Sequence, residues 1–268
     1  AGWRVLAELS NRHAGPWDQR RLPVEQLHAD VTWQDQVATV RALKAQVGGG
    51  TVESTGRWAA PAGAPATAPP ASPPAAATGQ WQIDTRISGV NPARLHTQMA
   101  ALPVDGTAKV SGVGSAIDFD ASLQARGQRA DAPARSGEST AQALARDLRA
   151  LALRDALATG RWDTGLLTLK RLRVRTDDAE LAGSASVRPA TPGGSADLVF
   201  TAPGTRVTVK GEAQPSTGAG SLRAEIDDAA RLLAWAKKLP GADQALAELG
   251  ASGRATLVGD WRGGWRDP

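Results

Sequence analysis

Apolar and polar residues alternate with a period of two along most of this chain, and no other feature constrains its fold as strongly. Trp81, Ile83, Thr85 and Ile87 fall on one side of an extended segment, with Gln82, Asp84, Arg86 and Ser88 on the other. Ile117, Phe119, Ala121, Leu123 and Ala125 alternate in the same way with Asp118, Asp120, Ser122 and Gln124. Similar runs occupy 27–33, 37–47, 52–58, 166–174, 181–187 and 207–213. A strand repeats every two residues, so each run reads as a strand with one apolar and one wet face. About 14 such candidates can be counted. Turn residues punctuate them: Gly48-Gly49-Gly50, Asp177-Asp178, Pro192-Gly193-Gly194, Pro203-Gly204 and Thr217-Gly218. The 29 glycines and 17 prolines are about a sixth of the 268 residues, above the roughly 12% of average usage.

Helical signals are few. Asn91-Pro92 is an N-cap followed by proline at the first helical position. Leu95, Met99 and Leu102 then share a helical stripe that Pro103 stops. Asp227 is the expected cap of a second helix, with Leu232, Trp235, Ala236 and Leu239 on one stripe and Pro240 as the stop. A further turn is expected over 242–249, ending on Gly250. The stretch 139–153 is ambiguous, with Leu144, Leu148 and Leu151 suiting a helix and Leu151 and Leu153 able to open a strand. Segment 59–78 is Ala and Pro with scattered Gly, Ser and Thr, and has too little apolar bulk to order itself. It reads as a flexible or polyproline-like insertion, and 127–137 as a second loop.

An internal repeat runs through both helical regions. Its unit is a strand, a cap, a short amphipathic helix, Leu-Pro, and a glycine-started strand. Ile87, Asn91-Pro92, Leu102-Pro103 and Gly106-x-Ala108-x-Val110-x-Gly112 make the first copy. Ile226-Asp227, Leu239-Pro240 and Gly253-x-Ala255-x-Leu257-x-Gly259 make the second. The two caps stand 136 residues apart and the Leu-Pro pairs 137. A smaller recurring element is Gly-x-Trp, at Gly56-Arg57-Trp58, Gly79-Gln80-Trp81, Gly160-Arg161-Trp162 and Gly259-Asp260-Trp261.

Catalytic and metal chemistry find little support. There is no cysteine, which removes disulfides, thiol catalysis and thiolate metal sites. His13, His28 and His96 each read as a surface histidine. Asp177-Asp178 and Asp227-Asp228 could suggest a glycosidase pair, but the first sits in a turn and the second starts a helix. Gly48–Gly50 precedes a strand, so it is not a phosphate loop. The net charge of +4 is spread along the chain rather than gathered into a patch, so no nucleic-acid partner is expected. No stretch could span a bilayer as a helix. The chain starts on Ala1 with no leader pattern and is read as a piece of a longer protein, with any membrane anchor outside it.

The apolar faces outnumber the elements able to cover them. Either the sheet curls on itself or something apolar occupies it. At this point the residues resemble a known family. The run Leu172-Arg173-Val174-Arg175-Thr176-Asp177-Asp178-Ala179-Glu180-Leu181-Ala182-Gly183 is similar to the strand–turn–strand unit of the TamB family of AsmA-like, bridge-like lipid transfer proteins. So are Ala229-Ala230-Arg231-Leu232-Leu233-Ala234-Trp235 with Leu239-Pro240-Gly241, and Gly253 through Gly259-Asp260-Trp261-Arg262-Gly263-Gly264-Trp265. The likeness covers the chain from about Leu22 onward, apart from the Ala/Pro insertion.

The resemblance implies a mostly β chain: one elongated, curled, taco-like and largely antiparallel sheet with an apolar groove and a few short amphipathic helices. It implies a periplasmic segment of an inner-membrane-anchored protein of the Gram-negative envelope. Its partners would be phospholipid and, through the full-length protein, an outer-membrane Omp85-type barrel, TamA. The function implied is a non-enzymatic conduit, without cofactor, that shields acyl chains between the two membranes in outer-membrane biogenesis. The expected groove-lining residues are Trp81, Ile83, Ile87, Ile117, Phe119, Leu123, Leu181, Val207, Val209 and Leu257. Two alternatives stand beside it: an assembly factor templating strands of outer-membrane or autotransported proteins at open sheet edges, and a secreted β-solenoid that binds carbohydrate.

Overall fold

A computed structural model describes residues 2–60, 79–97, 99, 101–126, 153–190, 193–237, 239, 246 and 248–264. Its fourteen described strands lie in chain order in one open antiparallel sheet, with β1 and β14 as edges. The chain divides into two compact units: residues 1–126 with 161–164, and 127–160 with 165–268. The expected insertion over 59–78 lies outside the described residues from 61 onward. So does the loop at 127–137, and so does the ambiguous stretch as far as 152.

The first unit holds β1 (Trp3–Ser10), β2 (Val24–Gln34), β3 (Val37–Val47), β4 (Gly50–Ala59), β5 (Gln80–Val90), β6 (Val104–Val113) and β7 (Ala116–Ala125). Each pairs antiparallel with the strand before it. Asp35 and Gln36 join β2 to β3 with φ of 50° and 64°, the left-handed pair of a two-residue hairpin whose twist matches the strands. Gly48 and Gly49 do the same between β3 and β4, with φ of 57° and 77°.

In the second unit β8 (Leu153–Asp163) contributes its residues up to Gly160. It is followed by β9 (Leu166–Thr176), β10 (Glu180–Val187), β11 (Gly194–Ala202), β12 (Thr205–Ala213), β13 (Gly218–Ile226) and β14 (Ala255–Arg262). From β9 onward the register again runs antiparallel between successive strands.

Two strands change the phase of their alternation midway. In β3, Val40 and Leu43 are both apolar, with Arg41 and Ala42 between them. The register with β4 shifts at that point. In β9, Leu169 and Leu172 flank Lys170 and Arg171, and the register with β10 shifts between Gly183 and Ala185. Each bulge absorbs the extra residue, so the apolar residues before and after it stay on one face.

The helices depart from expectation in length and position. The first, α1, is one turn, Pro92–Leu95, capped by the Asn91 side chain on the Ala93 N–H at 3.1 Å. His96 is already extended, with φ −149° and ψ 127°. Met99 and Leu102 therefore do not continue its stripe, and Met99 is 44% exposed. The second, α2, spans Ala229–Ala236, and its cap is Asp228, not Asp227. The Asp228 carboxylate accepts from the Arg231 N–H at 3.0 Å, while the Asp227 N–H donates to the Gly204 carbonyl at 3.0 Å. After β13 the chain is held on the β11–β12 turn, where the Asp228 N–H also donates to the Gly204 carbonyl at 3.3 Å, so the helix begins one residue later than the spacing suggests. Most of the turn expected over 242–249 lies outside the described residues.

Candidate functional site

Antiparallel partners share a face, so the register sorts every side chain of the first unit. Trp81, Ile83 and Ile87 of β5 stand opposite Trp58, Gly56 and Val52 of β4 and Gly112, Val110 and Gly106 of β6. These last three oppose Ile117, Phe119 and Leu123 of β7. Toward the other edge the same face continues through Ala38, Val40, Leu43, Ala45 and Val47 of β3, then Val31 and Leu27 of β2, to Trp3, Val5, Ala7 and Leu9 of β1. Its polar side chains in the paired strands, Ser54 and Thr85, are opposite each other and hydrogen-bond at 2.9 Å. All six residues expected to line a groove in this half thus fall on one face, apolar in its paired strands apart from Ser54 and Thr85.

One end of that face carries a row of tryptophans. The rings of Trp3 and Trp33 stack at 6.1 Å and 4°. Those of Trp33 and Trp58 stack at 5.5 Å and 26° across the small Ala38. Trp81 follows as the register partner of Trp58. The neighbouring glycines make room for the rings: a methyl on Gly79 would stand 2.6 Å from the Trp58 indole, and one on Gly112 would stand 2.7 Å from that of Trp81. The Gly-x-Trp spacing marked these positions. It could not show that Trp3 and Trp33, which lack the motif, belong to the same row.

The opposite end is covered by local structure. Ala45, Val90 and Val104, the buried apolar residues of this unit among the described ones, lie there at 6%, 4% and 8% exposure. The α1 turn rests on the β3–β4 hairpin, with the Asn91 N–H on the Gly48 carbonyl at 3.2 Å. The β1–β2 loop, with its 3-10 turn Trp17–Gln19, reaches Thr97 through Asp18, which accepts from the Thr97 N–H at 3.1 Å and from its hydroxyl. That hydroxyl bond holds the Asp18 carboxyl below its ordinary range. Between covered end and tryptophan row the face is only half-buried, and Ile83 is 41% exposed.

The second unit repeats the division. Leu181 opposes Val174 and Phe200, Phe200 opposes Val207, and Val207 opposes Ala224, which meets Leu257. Val209 joins them between Leu198 and Leu222. All four residues expected here share this face, with Leu257 60% exposed on the β14 edge. Trp261 lies over the bare backbones of Gly220 and Gly211. The α2 helix covers the end near Ala202, which is buried, and sets Trp235 against Phe200 at 6.0 Å and 49°. Both copies of the sequence repeat therefore place a short capped helix over one end of an apolar face.

The reverse faces are ionic. Arg4 makes a bidentate pair with Asp30 at 2.8 and 2.7 Å, and this holds the Asp30 carboxyl below its ordinary range. His28 Nδ1 stands 3.4 Å from Glu8, and Lys44 3.1 Å from Glu53. Partial burial pushes the Asp105 carboxyl up, but the Gly89 N–H at 2.8 Å, Arg126 and Ser88 together hold it low. In the second unit Asp155 accepts from Arg173 at 3.2 Å and Arg175 at 2.8 Å, and Lys210 pairs with Asp197 at 3.3 Å. Tryptophans and carboxylates thus occupy opposite faces, which separates the groups a sugar-binding surface would combine.

The candidate catalytic residues are not brought together. His28 faces Glu8 on the ionic side, the His13 N–H donates to the Asn11 side chain at 3.0 Å, and His96 ends α1. Asp177 pairs with Arg154, and Asp228 caps α2. Among the described residues no group of three or more His, Cys, Asp or Glu side chains could hold a metal ion. No helix there is long and apolar enough to cross a membrane. The chain matches no family model, no curated protein and no solved structure.

Proposed function

We propose that this chain is a conduit segment of a TamB-like envelope protein that shields phospholipid acyl chains on its apolar faces. One observation carries the reading. In each unit the paired strands turn most of their large apolar residues to one side, and among the described elements only a short helix and adjoining loop cover part of it. A soluble surface rarely leaves so broad an apolar area without an occupant. Curling of the sheet into a taco-like groove would turn Trp81, Ile83, Ile87, Ile117, Phe119 and Leu123, and likewise Leu181, Val207, Val209 and Leu257, toward that occupant.

The mechanism is non-covalent and requires no cofactor. The apolar face substitutes for the bilayer interior at about 0.8 kcal/mol per methylene shielded from water. A sixteen-carbon chain gains roughly 10 kcal/mol, enough for transient transfer and short of irreversible capture. In the cell the segment would stand in the periplasm as part of an inner-membrane-anchored protein, and would reach the outer membrane through an Omp85-type barrel such as TamA.

Photo-crosslinking tests the reading. A probe at Phe119 or Leu123 should capture phospholipid in Gram-negative cells, and one at Asp118 or Gln124, on the opposite face of β7, should not. Leu123→Arg should block transfer while β7 still pairs, because it sets a charge in the apolar path. Equal lipid capture from both faces would sink the proposal. Capture of polypeptide alone would move the function to strand templating.

A further inference from the structure

The bulge in β9 does more than keep the apolar phase. Leu169 and Leu172 stay on the apolar face, opposite Ala185 and Gly183. The two residues between them, Lys170 and Arg171, are both turned to the reverse face, where they share Ser184 as their neighbour on β10. Arg173 and Arg175 follow on that face, opposite Ala182 and Glu180. One strand thus presents four cations within the six residues 170–175. A concavity of about 470 Å³ lies beside the bulge, inside the second unit.

The charges around this concavity do not cancel. Arg173 is held by Asp155 at 3.2 Å. Asp197, the one carboxylate among the described lining residues, is held by Lys210 at 3.3 Å. Among the described residues Lys170 and Arg171 make no ion pair, and the Ser184 hydroxyl makes no hydrogen bond. Two positive charges and one O–H donor are therefore left facing the same space. Leu157 and the register partners Ala182 and Val199 add apolar surface to it. The β3 bulge gives the comparison. A concavity of about 440 Å³ lies there too, but Lys44 pairs with Glu53 at 3.1 Å, and Arg86 and Lys109 stand opposite Glu53 and Asp84. A bulge on an ionic face does not by itself leave the surplus found at β9.

We propose that the concavity at the β9 bulge binds a phosphate monoester carried on a small apolar body. A monoester carries a charge of about −2 above pH 7, which matches the surplus of Lys170 and Arg171. A carboxylate or a phosphodiester carries one charge and would leave the other cation unbalanced. A guanidinium takes two phosphate oxygens in a fork, an ammonium adds a point charge, and a serine hydroxyl donates once. The volume falls within the range of about 300–1,000 Å³ usual for small-molecule sites, so it admits more than the phosphate, and Leu157, Ala182 and Val199 receive the organic part. The site lies on the face opposite the apolar one, and the inference stands apart from what occupies that face.

Phenyl phosphate is the probe. In calorimetric titrations at pH 8 it should saturate one site per 268-residue chain. Lys170→Ala and Arg171→Ala should each weaken binding about tenfold, and Ser184→Ala less. Benzoate and diphenyl phosphate, with one charge each, should bind about tenfold more weakly than phenyl phosphate. The double variant Lys44→Ala/Arg86→Ala, at the balanced β3 concavity, should leave binding unchanged. Lys170 and Arg171 are exposed, so their variants should melt as the parent does, which separates lost binding from lost folding. Vesicles of phosphatidylcholine with and without phosphatidic acid distinguish two sources of the group. Sedimentation with the phosphatidic acid vesicles, competed by phenyl phosphate, assigns the site to a lipid headgroup. Binding of phenyl phosphate without sedimentation assigns it to a soluble organic phosphate. No saturable binding of phenyl phosphate, an unchanged affinity in Lys170→Ala/Arg171→Ala, or benzoate bound as tightly overturns the proposal.

Discussion

Replacing Gly220 by alanine should dislodge Trp261 and loosen the edge of the second unit. Gly220 in β13 is the register partner of Trp261 in β14, and the indole lies directly over its Cα. A methyl there would meet Cζ2 and Cη2 of the ring well inside contact distance, and would stand 2.6 Å from the Lys210 carbonyl oxygen. Backbone cannot yield, so the ring must. Gly211, on the next strand, closes the same side, because a methyl there would stand 2.7 Å from Cζ2. A tryptophan buries about 150–250 Å² when enclosed. Trp261 is half-buried, so its displacement re-exposes roughly 100 Å², or about 2.5 kcal/mol at 25 cal/mol per Å². Alanine recovers about 0.5 kcal/mol of strand propensity over glycine. The net loss is about 2 kcal/mol, a fall of roughly 4–8 °C in the unfolding temperature of a unit this size. Gly259 supplies the control. It lies on the same apolar face of β14, yet nothing stands within 4 Å of a methyl there, so Gly259→Ala should be neutral or slightly stabilising. Thermal melts followed by circular dichroism would compare the two. Combining Gly220→Ala with Trp261→Leu should remove the ring's share of the penalty and leave that of the Lys210 carbonyl. Equal melting of both glycine variants, or an undiminished penalty in the double variant, would refute this account of how Trp261 seats on Gly220.

Three further outcomes are expected. Thr85→Val alone should cost about 1 kcal/mol by leaving Ser54 without its partner on the apolar face, whereas Thr85→Val with Ser54→Ala should be close to neutral in denaturant titrations. Asp228→Ala should destabilise by about 1 kcal/mol through loss of the α2 cap, and Asp227→Ala should cost clearly less; the reverse order in melting experiments would return the cap to Asp227. Asp18, Asp30 and Asp105 all titrate below their ordinary range when folded, so the unfolded chain takes up protons first as pH falls. Their stabilisation is therefore complete above about pH 4 and lost below it. Asp105→Asn should lower stability at pH 7 and flatten the acid limb, and an unchanged pH profile would count against the Asp105 contacts.

Much of this molecule was legible as local pattern. Period-two alternation located Val37–Val47 and Ala116–Ala125 to the residue. It also placed Phe119 and Leu123 apart from Asp118 and Gln124, because strand geometry alone assigns successive side chains to opposite faces. The repeat of strand, cap and short helix was readable for the same reason, since capping and proline effects act within a few residues. β1 escaped notice because Leu6 interrupts the alternation.

The apolar faces were implied by each strand separately. Only the pairing showed that they join across β1–β7, and again across β9–β14. Register also decided that Trp33 and Trp58 meet over Ala38, that Trp261 rests on two glycines from other strands, and that bulges at Arg41–Ala42 and Lys170–Arg171 keep the apolar phase. The length of α1 and the cap of α2 depended on where the β3–β4 and β11–β12 turns receive the chain. Alternation and capping are written in residues two to four positions apart. Register, ring stacking and helix seating join residues tens of positions apart in sequence, and their energies exist only once the strands lie side by side.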